Sequence, residues 1–513
     1  MPLSHTMKKL LEQNADLHSN NCAYRTEDRT ITHGELLDRA RRAGSALQRV
    51  GVRHQDRVGI LSMNSIEFGE VVAACQYAGF ILATVNFRLA PPEMAYIIKE
   101  SEPRVLIFEA QYLPVIEALR AELSFVETYV CIGGSADWAI EYEAFVATGD
   151  PTDQLPDTDA DDIAMLLFTG GTTGRPKGVI WGQRETRNMA HAINTEQQSA
   201  VTDLGLIVMP MFHIGALAII FGLHFRGGSV FLHRQFDPAA LLETVERHRI
   251  TLLHLAPTLV QMILELPRID QADTSSLRKI VYSAAAMPVP VLRRGLELFG
   301  SIFTNLYGQT EVMGTGLPCE LHRPDGDERE RGWLGSVGYP YANTEVRIVD
   351  EDGNDCPRGT AGEIVVRSSV MARGYWNNHI ATLNTFRQGW CHSGDIGRID
   401  EDGLLYLVDR KKDMIVSGGE NIYSREVEDA LLSHPAVVEC AVIGVPDEKW
   451  GETVCAAVVF RQGKSATFDE LVEHCKRMIA SYKKPKVIHF LDELPKFPTG
   501  KINKLALRER YCK

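Results

Sequence analysis

The sequence predicts an α/β protein, in which a large N-terminal domain of helix-covered sheets with a barrel-like part precedes a small C-terminal α+β domain. Three observations lead to this prediction. The chain has 513 residues, which is too long for one ordinary core. Its first third alternates helix-like with strand-like segments, and from about residue 335 short strands separated by turns replace them. We therefore expect an N-terminal domain over residues 1–410, with the barrel-like part at about 335–410, and a C-terminal domain over 411–513.

The alternation begins with a helix that runs from a capping motif at Thr32 to about Val50. Strand-like and helix-like segments then follow one another, which is typical of a parallel sheet covered by helices. In order, these segments are a strand at 56–61, a helix at 65–77 and strands at 104–108, 163–167, 249–254 and 279–283.

The second half of the chain has a different pattern of predicted elements. Strands at 345–349 and 363–367, joined through a turn at 350–354, predict the antiparallel, barrel-like part. The elements expected in the C-terminal domain are a helix at 424–432, strands at 440–445 and 454–460, and a helix at 468–481.

Composition excludes several classes of function. The net charge is −13 and no basic face is evident, so nucleic acid is not an expected partner. Ten scattered cysteines without metal-binding spacing fit a reducing cytoplasm. No run approaches the roughly 20 apolar residues of a membrane helix, since the longest, Ala216–Phe225, contains His224. We expect a cytoplasmic protein without a signal peptide or transmembrane segment, for which an oligomer is possible.

The most informative segment is a glycine- and threonine-rich loop, Phe168–Gly178, between the apolar run 163–167 and the strand-like 178–180. Its glycines allow close backbone approach, while hydroxyls and a lysine converge on the same turn, so the loop suits a polyphosphate. It differs from the common nucleotide-binding loop, because its lysine follows a proline. A glycine-rich hairpin without a ligand is the alternative. The candidate phosphate-binding residues are Thr169, Gly170, Gly171, Thr172, Thr173, Gly174 and Lys177.

Four further motifs follow this loop in a fixed order: Tyr307–Glu311, Ser393–Asp395, Asp409–Asp413 and Pro498–Lys501. Together, the five motifs resemble the adenylate-forming superfamily of acyl-CoA synthetases, aryl-CoA ligases, peptide-synthetase adenylation domains and firefly luciferase. The resemblance extends from about Tyr24 to the C-terminus. The tail and loop patterns look closest to bacterial fatty-acyl-CoA ligases.

The resemblance implies an ATP site that uses Mg²⁺. Thr169 and Glu311 would hold the ion, which prefers oxygen ligands, and Thr310 would contact the α-phosphate. Family members usually have a serine where this chain has Gly170, so one hydroxyl contact is lost. Lys501 would be the catalytic lysine, acting as a point charge on the carboxylate and α-phosphate. A solvated lysine in a basic tail is the alternative for Lys501.

The resemblance also assigns the adenosine moiety. Tyr307 would lie against adenine, Asp395 would accept hydrogen bonds from both ribose hydroxyls, and Arg410 would add a ribose or phosphate contact. The alternatives are a core aromatic for Tyr307 and a turn residue for Asp395. The remaining expected ATP/AMP residues are Ser283, Ala284, Ala285, Gly308 and Gln309.

Two C-terminal features are implied for the second half-reaction. Lys412 matches the position of the hinge about which the small, mobile domain is thought to rotate between adenylation and thioester formation. The loop after it would line the channel for the pantetheine arm of coenzyme A. A plain loop before the next helix is the alternative. The expected CoA residues are Ser417, Gly418, Gly419 and Glu420.

The acid pocket is the least determined part. His213 matches a family position near the acyl group, although a histidine in an apolar segment can equally be a core residue. Small residues suggest space for a bulky or long apolar acid. Asp203 does not match the aspartate that binds the ammonium group of an amino acid. The expected pocket residues are Phe212, His213, Ala284, Ala285, Ala286, Gly308 and Gly314.

These features predict an ATP-dependent carboxylic acid–CoA ligase that activates a fatty or aryl/arylalkyl acid. The acid would form acyl-AMP and then an acyl-CoA, with release of pyrophosphate and AMP. The alternatives are an adenylation enzyme that loads a carrier protein, a luciferase-like oxygenase, and a non-catalytic binding protein of the same fold. Retention of Thr169, Glu311, Asp395, Arg410 and Lys501 together argues against the last of these.

Overall fold

The computed structural model describes residues 5–169, 175–417, 420–447, 449–497 and 502–512. The chain divides into two compact units. The first contains Met1–Val346 and Val366–Cys391, and the second contains Arg347–Val365 and His392–Lys513. The second unit therefore groups residues 347–365 and 392–410 with the C-terminal segment. The predicted division at residue 410 stays a prediction.

The helices, in chain order, are α1 (Met7–Leu17), α2 (His33–Arg49), α3 (Ile66–Ala78), α4 (Pro91–Ser101), α5 (Leu113–Leu119), α6 (Tyr142–Ala147), α7 (Gln183–Gln197), α8 (Ile214–His224), α9 (Pro238–His248), α10 (Pro257–Leu264), α11 (Val289–Phe299), α12 (Glu328–Gly332), α13 (His379–Thr385), α14 (Ser424–Leu432), α15 (Phe468–Met478) and α16 (Lys504–Tyr511).

The strands are β1 (Cys22–Arg25), β2 (Thr30–Thr32), β3 (Arg57–Leu61), β4 (Ile81–Thr84), β5 (Val105–Glu109), β6 (Thr128–Ile132), β7 (Ile140–Glu141), β8 (Ile163–Thr169), β9 (Lys177–Gly182), β10 (Leu204–Ile207), β11 (Ser229–Leu232), β12 (Leu252–Leu255), β13 (Lys279–Tyr282), β14 (Phe303–Gly308), β15 (Met313–Leu317), β16 (Tyr339–Pro340), β17 (Thr344–Val349), β18 (Gly362–Ser368), β19 (Phe386–Arg387), β20 (Trp390–Ile399), β21 (Leu405–Arg410), β22 (Ile415–Ser417), β23 (Glu420–Ile422), β24 (Val437–Asp447), β25 (Gly451–Phe460) and β26 (Val487–Phe490).

A seven-stranded sheet has the order β7-β6-β5-β3-β4-β8-β9. Its strands are parallel up to β8, and β9 returns antiparallel to β8. Its central strands are short runs of Val, Ile and Leu and are buried on both faces, as expected for parallel strands between helices. This sheet places the glycine-rich loop at its edge hairpin.

A nine-stranded sheet has the order β16-β15-β14-β13-β12-β10-β11-β1-β2. Its strands from β1 through β11, β10, β12 and β13 to β14 are parallel, so their carboxyl ends meet along one edge. In open α/β sheets, ligands bind at that edge. Among the predicted site residues, His213 and Ser283 lie in the segments that follow β10 and β13, and Tyr307–Glu311 runs from the end of β14 into the turn after it.

Helix α2 shows how the local sequence determines an element. The Thr32 hydroxyl accepts a hydrogen bond from the Glu35 amide, and the Glu35 carboxylate accepts one from the Thr32 amide. This capping box satisfies two amides at the helix start and confirms the predicted beginning of the helix. The predicted helix at 468–481 ends earlier, at Met478. Ile479 is extended, and Ser481–Lys483 form a 3₁₀ turn.

The remaining strands form two five-stranded sheets. One has the order β17-β18-β20-β19, with β21 antiparallel to β20, and corresponds to the predicted barrel-like part. The other has the order β23-β22-β25-β24, with β26 parallel to β25, and carries α14 and α15. The predicted α/β class, with a large N-terminal and a small C-terminal part, is confirmed. In the described part of the chain, every helix is too short or too polar to cross a bilayer.

Candidate active site

The hairpin of β8 and β9 forms the base of the glycine-rich loop. Thr169, the last residue of β8, pairs across the hairpin with Lys177, the first residue of β9. The predicted metal ligand and the predicted phosphate-binding lysine therefore lie opposite each other. Gly170, Gly171, Thr172, Thr173 and Gly174 lie outside the described residues.

A second segment, Thr310–Glu311, lies in the tight turn between β14 and β15. The turn is closed by the Gln309 amide, which donates to the Val312 carbonyl at 2.7 Å. The indole Nε1 of the fully buried Trp181, in β9, donates to the Thr310 carbonyl at 2.8 Å. Trp181 thus fixes the Thr310–Glu311 turn beside the hairpin that carries Lys177.

Tyr375 connects the two segments and was not predicted. Its hydroxyl donates to Oε1 of Glu311 at 2.7 Å, and the Lys177 Nζ lies 4.9 Å from the centroid of its ring. Burial, followed by the negative charge of Glu311, raises the pKa of Tyr375 well above its ordinary value, so the hydroxyl stays protonated and keeps donating. The structure therefore brings Thr169, Lys177 and Glu311 to one place through a neutral tyrosine.

The backbone around Tyr375 runs along β9. The Ile180 amide donates to the Gly374 carbonyl at 2.9 Å, and the Trp376 amide donates to the Gly178 carbonyl at 2.7 Å. Gly374 has a φ of 142°, and a Cβ there would lie 2.6 Å from the Thr382 side chain, so glycine is required. A glycine before an aromatic pair was the one sequence signal that could have indicated this segment.

The residues expected to contact ATP or AMP near the adenine lie in two places. Ser283 and Ala284 follow β13, and Tyr307 and Gly308 are the last residues of β14. Ser283 accepts or donates a hydrogen bond of 2.8 Å with Nε2 of His254, and Ala284 has a φ of 73°. Positive φ is uncommon for alanine and often marks functional sites. At Gly308, a Cβ would lie 2.8 Å from the Val312 carbonyl oxygen, so no side chain fits. Tyr307 is half-buried in β14.

The expected acid-pocket residues differ in exposure. Phe212 is buried, its ring 5.3 Å from that of Phe87, and its carbonyl accepts from Thr84 Oγ1 at 3.2 Å. His213 is half-buried at the start of α8, and its ring centroid lies 4.4 Å from that of Phe212. Gly314 is buried in β15. Ala285 is exposed and Ala286 is half-buried.

In the second unit, the two residues expected at the ribose face each other. Asp395 in β20 pairs in register with Arg410 in β21, and Nε of Arg410 lies 2.7 Å from Oδ1 of Asp395. The Asp395 amide donates to Ser393 Oγ at 3.0 Å, and that hydroxyl donates to the Ile364 carbonyl. Asp395 is only 5% exposed, so this carboxylate is held in one orientation.

The predicted hinge follows β21. The Lys412 carbonyl accepts from Nη2 of Arg508 at 3.3 Å, and the same nitrogen lies 2.9 Å from Oδ1 of Asp413. Ser417 and Glu420 pair across the β22–β23 turn, while Gly418 and Gly419 lie outside the described residues.

Lys501 also lies outside the described residues. Its neighbours in sequence have structural partners. Nζ of Lys496 lies 2.7 Å from Glu439, and Nζ of the half-buried Lys504 lies 2.8 Å from Glu428.

A positively charged aromatic cluster lies near the β22–β23 turn and was not predicted. Trp450 is 41% exposed, and the ammonium groups of Lys449 and Lys486 lie 4.8 and 4.9 Å from its ring centroid. Gly451, the next residue, pairs with Ser417. Such a cluster can bind an aromatic base together with phosphate groups.

Glu311 and Thr169 offer oxygen atoms of the kind that Mg²⁺ prefers. Among the described residues, no lysine or arginine forms an ion pair with Glu311, and no group of three or more His, Cys, Asp or Glu forms a complete metal site. One carboxylate and the hydroxyl of Thr169 fit Mg²⁺, which usually keeps several waters and phosphate oxygens as its other ligands.

Two family models match the chain. The AMP-binding enzyme model matches residues 11–376, and the model of the AMP-binding enzyme C-terminal domain matches residues 426–501. Among curated proteins, a feruloyl-CoA synthase from Amycolatopsis sp is 38% identical over 482 residues, 94% of each chain. The fatty acid–[acyl-carrier-protein] ligase ScoC of Streptomyces coeruleorubidus is 33% identical, over 99% of this chain and 98% of the other. The long-chain-fatty-acid–CoA ligase FadD13 of Mycobacterium tuberculosis is 32% identical over 98% of each.

Two solved structures extend the likeness to the fold. The anthranilate CoA ligase AuaEII, in complex with anthranoyl-AMP, has a TM-score of 0.91 and 30% identity over 100% of this chain and 98% of that chain. The amide bond synthetase McbA from Marinactinospora thermotolerans has a TM-score of 0.88 and 28% identity over 98% and 99%. The predicted resemblance to acyl-CoA ligases, including bacterial fatty-acyl-CoA ligases, is confirmed.

Proposed function

The chain belongs to the AMP-binding enzyme family, and from this membership we propose that it is an ATP-dependent carboxylic acid–CoA ligase. A fatty or aryl/arylalkyl acid reacts with ATP to give acyl-AMP and pyrophosphate, and the acyl group then passes to the thiol of CoA with release of AMP. The convergence of Lys177, Tyr375 and Glu311 at the base of the glycine-rich loop carries this proposal.

In the first half-reaction, a carboxylate oxygen attacks the α-phosphorus of ATP and pyrophosphate leaves. The attack needs positive groups that hold the polyphosphate and reduce repulsion between two anions. Lys177 would supply one such charge at the loop, and Thr310 would contact the α-phosphate. Mg²⁺, held by Thr169 and Glu311, would neutralise charge on the phosphate oxygens. The Tyr375 hydroxyl donates to Oε1 of Glu311 and so orients the carboxylate. Because the hydroxyl is neutral, the negative charge of Glu311 stays available to the ion.

The adenosine and acyl ends of the intermediate are assigned by the family pattern. Tyr307 would lie against adenine, and Asp395, with Arg410 paired to it, would bind the ribose. Lys501 would stabilise the charge that develops on the carboxylate and the α-phosphate. His213 and the small residues Ala284, Ala286 and Gly314 would border the acid.

The acceptor is either CoA or a carrier protein, since one relative is named a ligase of an acyl carrier protein. The cluster of Trp450, Lys449 and Lys486 favours CoA, because its nucleotide combines an aromatic base with phosphates. All ten cysteines lie among the described residues and none of them forms a disulfide there, which supports a cytoplasmic location.

The test is pyrophosphate release by the full-length enzyme with a panel of fatty and arylalkyl acids. We expect acid-dependent release in the presence of ATP and Mg²⁺, and an acyl-CoA product when CoA is added. If acyl-AMP forms but only a carrier protein accepts the acyl group, the assignment of CoA as the acceptor is wrong. Release that no acid stimulates would contradict the whole proposal.

Lys501→Ala tests whether Lys501 is the catalytic lysine of the adenylation step. We expect it to lower adenylation by a few hundredfold, about 3–4 kcal/mol, while thioester formation from added acyl-AMP persists. Lys496→Ala is the matched control, since that lysine is paired with Glu439 and should affect neither step much. Equal losses in both half-reactions of Lys501→Ala would exclude the assignment.

A further inference from the structure

A buried histidine beside the expected acid pocket lacks one of its hydrogen bonds. His254, in β12, is 1% exposed, and its Nε2 lies 2.8 Å from Ser283 Oγ. Its other ring nitrogen, Nδ1, has no hydrogen-bond partner among the residues that the structure describes. A buried polar atom without a partner costs roughly 1–3 kcal/mol, so such an atom in a folded enzyme calls for an explanation.

A second buried atom of the same kind lies in the same row of the sheet. His254 pairs with Val281, and Val281 pairs with Thr304, so the three side chains point to one face of adjacent parallel strands. Thr304 is 0% exposed, and its Oγ1 also lacks a partner among the described residues. Two strand spacings, roughly 10 Å, separate these positions along the row.

The face that carries this row is the one covered by α8. Val281 belongs to the hydrophobic cluster that includes Leu217 and Ile220 of α8, whereas Leu253 and Leu255 belong to the cluster on the opposite face. At Gly215, in the first turn of α8, an added Cβ would lie 3.5 Å from Cε1 of His254, and no other atom outside its chain neighbours and its own helix backbone lies within 4 Å among the described residues. The missing side chain at Gly215 therefore leaves room for a group the size of a methyl or hydroxyl beside the His254 ring, two residues from the expected pocket residue His213.

The charge state of His254 limits what can fill this space. Burial lowers its pKa to about 4, so at neutral pH the imidazole is uncharged. In a neutral imidazole, one nitrogen donates and the other accepts, and the bond to Ser283 decides which role is left for Nδ1. A hydroxyl group satisfies Nδ1 in either case, because it can donate or accept.

We propose that Nδ1 of His254 binds a hydroxyl group at the distal end of the acid, which makes hydroxylated aryl acids the preferred substrates. The inference rests on the proposed ligase function and adds the substrate class. An aromatic ring holds its hydroxyl at a fixed distance from the carboxylate, so one buried nitrogen can select it. The methylenes of a fatty acid would leave Nδ1 of His254 unpaired, and sites built to bind a hydroxyl discriminate strongly against analogues without one.

The experiment compares acids that differ by one hydroxyl: cinnamic and para-hydroxycinnamic acid, phenylacetic and para-hydroxyphenylacetic acid, and octanoic and omega-hydroxyoctanoic acid. We expect kcat/KM of the wild-type enzyme to favour the hydroxylated aryl acids by at least about tenfold. His254→Leu should reduce this preference to about threefold or less, mainly through KM, whereas His254→Asn, which keeps a polar group, should retain part of it.

Two controls separate recognition from folding. His322 is a second fully buried histidine, but both of its nitrogens are occupied, by the Tyr282 hydroxyl and the Pro318 carbonyl, each at 3.0 Å. His322→Leu should lower the melting temperature without changing the hydroxyl preference. Thr304→Val removes the other unpaired buried atom but keeps the shape, and because Thr304 lies two strands from His254 it should leave the hydroxyl preference unchanged.

The outcomes distinguish failure of the hydroxyl assignment from failure of the proposed ligase function. If no acid of the panel stimulates pyrophosphate release, the proposed function fails and the inference fails with it. If acids are activated but the members of each aryl pair react equally, or if His254→Leu keeps the wild-type preference in a folded enzyme, only the hydroxyl assignment is overturned.

Discussion

At the scale of single residues, the candidate site depends on the orientation of one carboxylate. Glu311 has an acceptor oxygen, Oε1, occupied by the Tyr375 hydroxyl, and its main-chain carbonyl accepts from the Ala372 amide at 2.8 Å. Both contacts come from a segment some 60 residues further along the chain. A hydrogen bond to a charged group is worth roughly 1.5–3 kcal/mol, enough to matter for a weakly held ion.

Tyr375→Phe is therefore expected to weaken the use of Mg²⁺. It removes the hydroxyl but keeps the ring over which Lys177 lies. We expect kcat/KM for ATP to fall about tenfold and the Mg²⁺ concentration for half-maximal pyrophosphate release to rise. Tyr129→Phe, which loses only a 3.4 Å bond to the Leu123 carbonyl, is the control. An unchanged Mg²⁺ dependence in Tyr375→Phe would mean that Glu311 does not hold the metal.

Residues of this kind mark the limit of what the sequence predicts about the site. Motifs that are continuous in sequence, such as Tyr307–Glu311, could be recognised from the sequence, because their residues are neighbours in the chain. Tyr375 and His254 escaped prediction because their roles come from contacts with residues far away in the chain. Their type alone, an aromatic near a glycine and a histidine in an apolar strand, is equally typical of a core.

At the scale of elements, the turn after β21 contains Lys412, the predicted hinge for rotation of the small C-terminal domain between the two half-reactions. Main-chain bonds fix its flanks: the Lys411 amide donates to Gly394, and the Asp413 amide donates to Arg410, both at 2.9 Å. Arg508 of α16 then binds the Lys412 carbonyl and the Asp413 carboxylate. A hinge requires that a few backbone angles change while such flanking contacts persist.

Lys412→Pro tests that proposal, because proline fixes φ near about −65°. We expect adenylation to survive and thioester formation to fail, so acyl-AMP should accumulate in the presence of CoA in single-turnover experiments. Lys412→Ala changes the side chain alone and should spare both steps. If both half-reactions of the proline variant fall in proportion while its melting curve is unchanged, the hinge lies elsewhere.

Elements themselves were predicted well where the signal is local. The capping box defined the start of α2, and short apolar runs defined β3, β5 and β8. Their order in the sheets could not be read, because pairing partners such as β4 and β8 are separated by about 80 residues and interrupted by other strands. The end of α15 was placed too late, since an apolar periodicity continues past the residue where the backbone becomes extended.

At the scale of the whole molecule, buried histidines make stability depend on pH. His33, His224, His254 and His322 are all at most 6% exposed. Burial lowers the pKa of His224 to about 3 and that of each of the others to about 4. The rings of His33 and His224 lie 5.1 Å apart, so a proton on one further disfavours a proton on the other.

We expect the free energy of unfolding to decrease as the pH falls from about 6.5 to about 4. In this window the unfolded chain, with histidine pKa values near 6.5, binds protons that the folded state does not, so stability rises with pH. Each histidine contributes a slope of up to about 1.4 kcal/mol per pH unit. Denaturant titrations at several pH values measure the slope. His224→Gln should flatten it, and an unaltered slope would show that His224 is protonated in the folded state.

The pairing of β1 with β11 has a consequence for how the protein is made. Tyr24 lies beside Val230, so β1 has only the short strand β2 as a neighbour until roughly 200 further residues have left the ribosome. At roughly 5–20 residues per second, this delay lasts about 10–40 s. During that time the edge of β1 that later pairs with β11 is open, and an unpaired strand edge is a site at which nascent chains can associate wrongly.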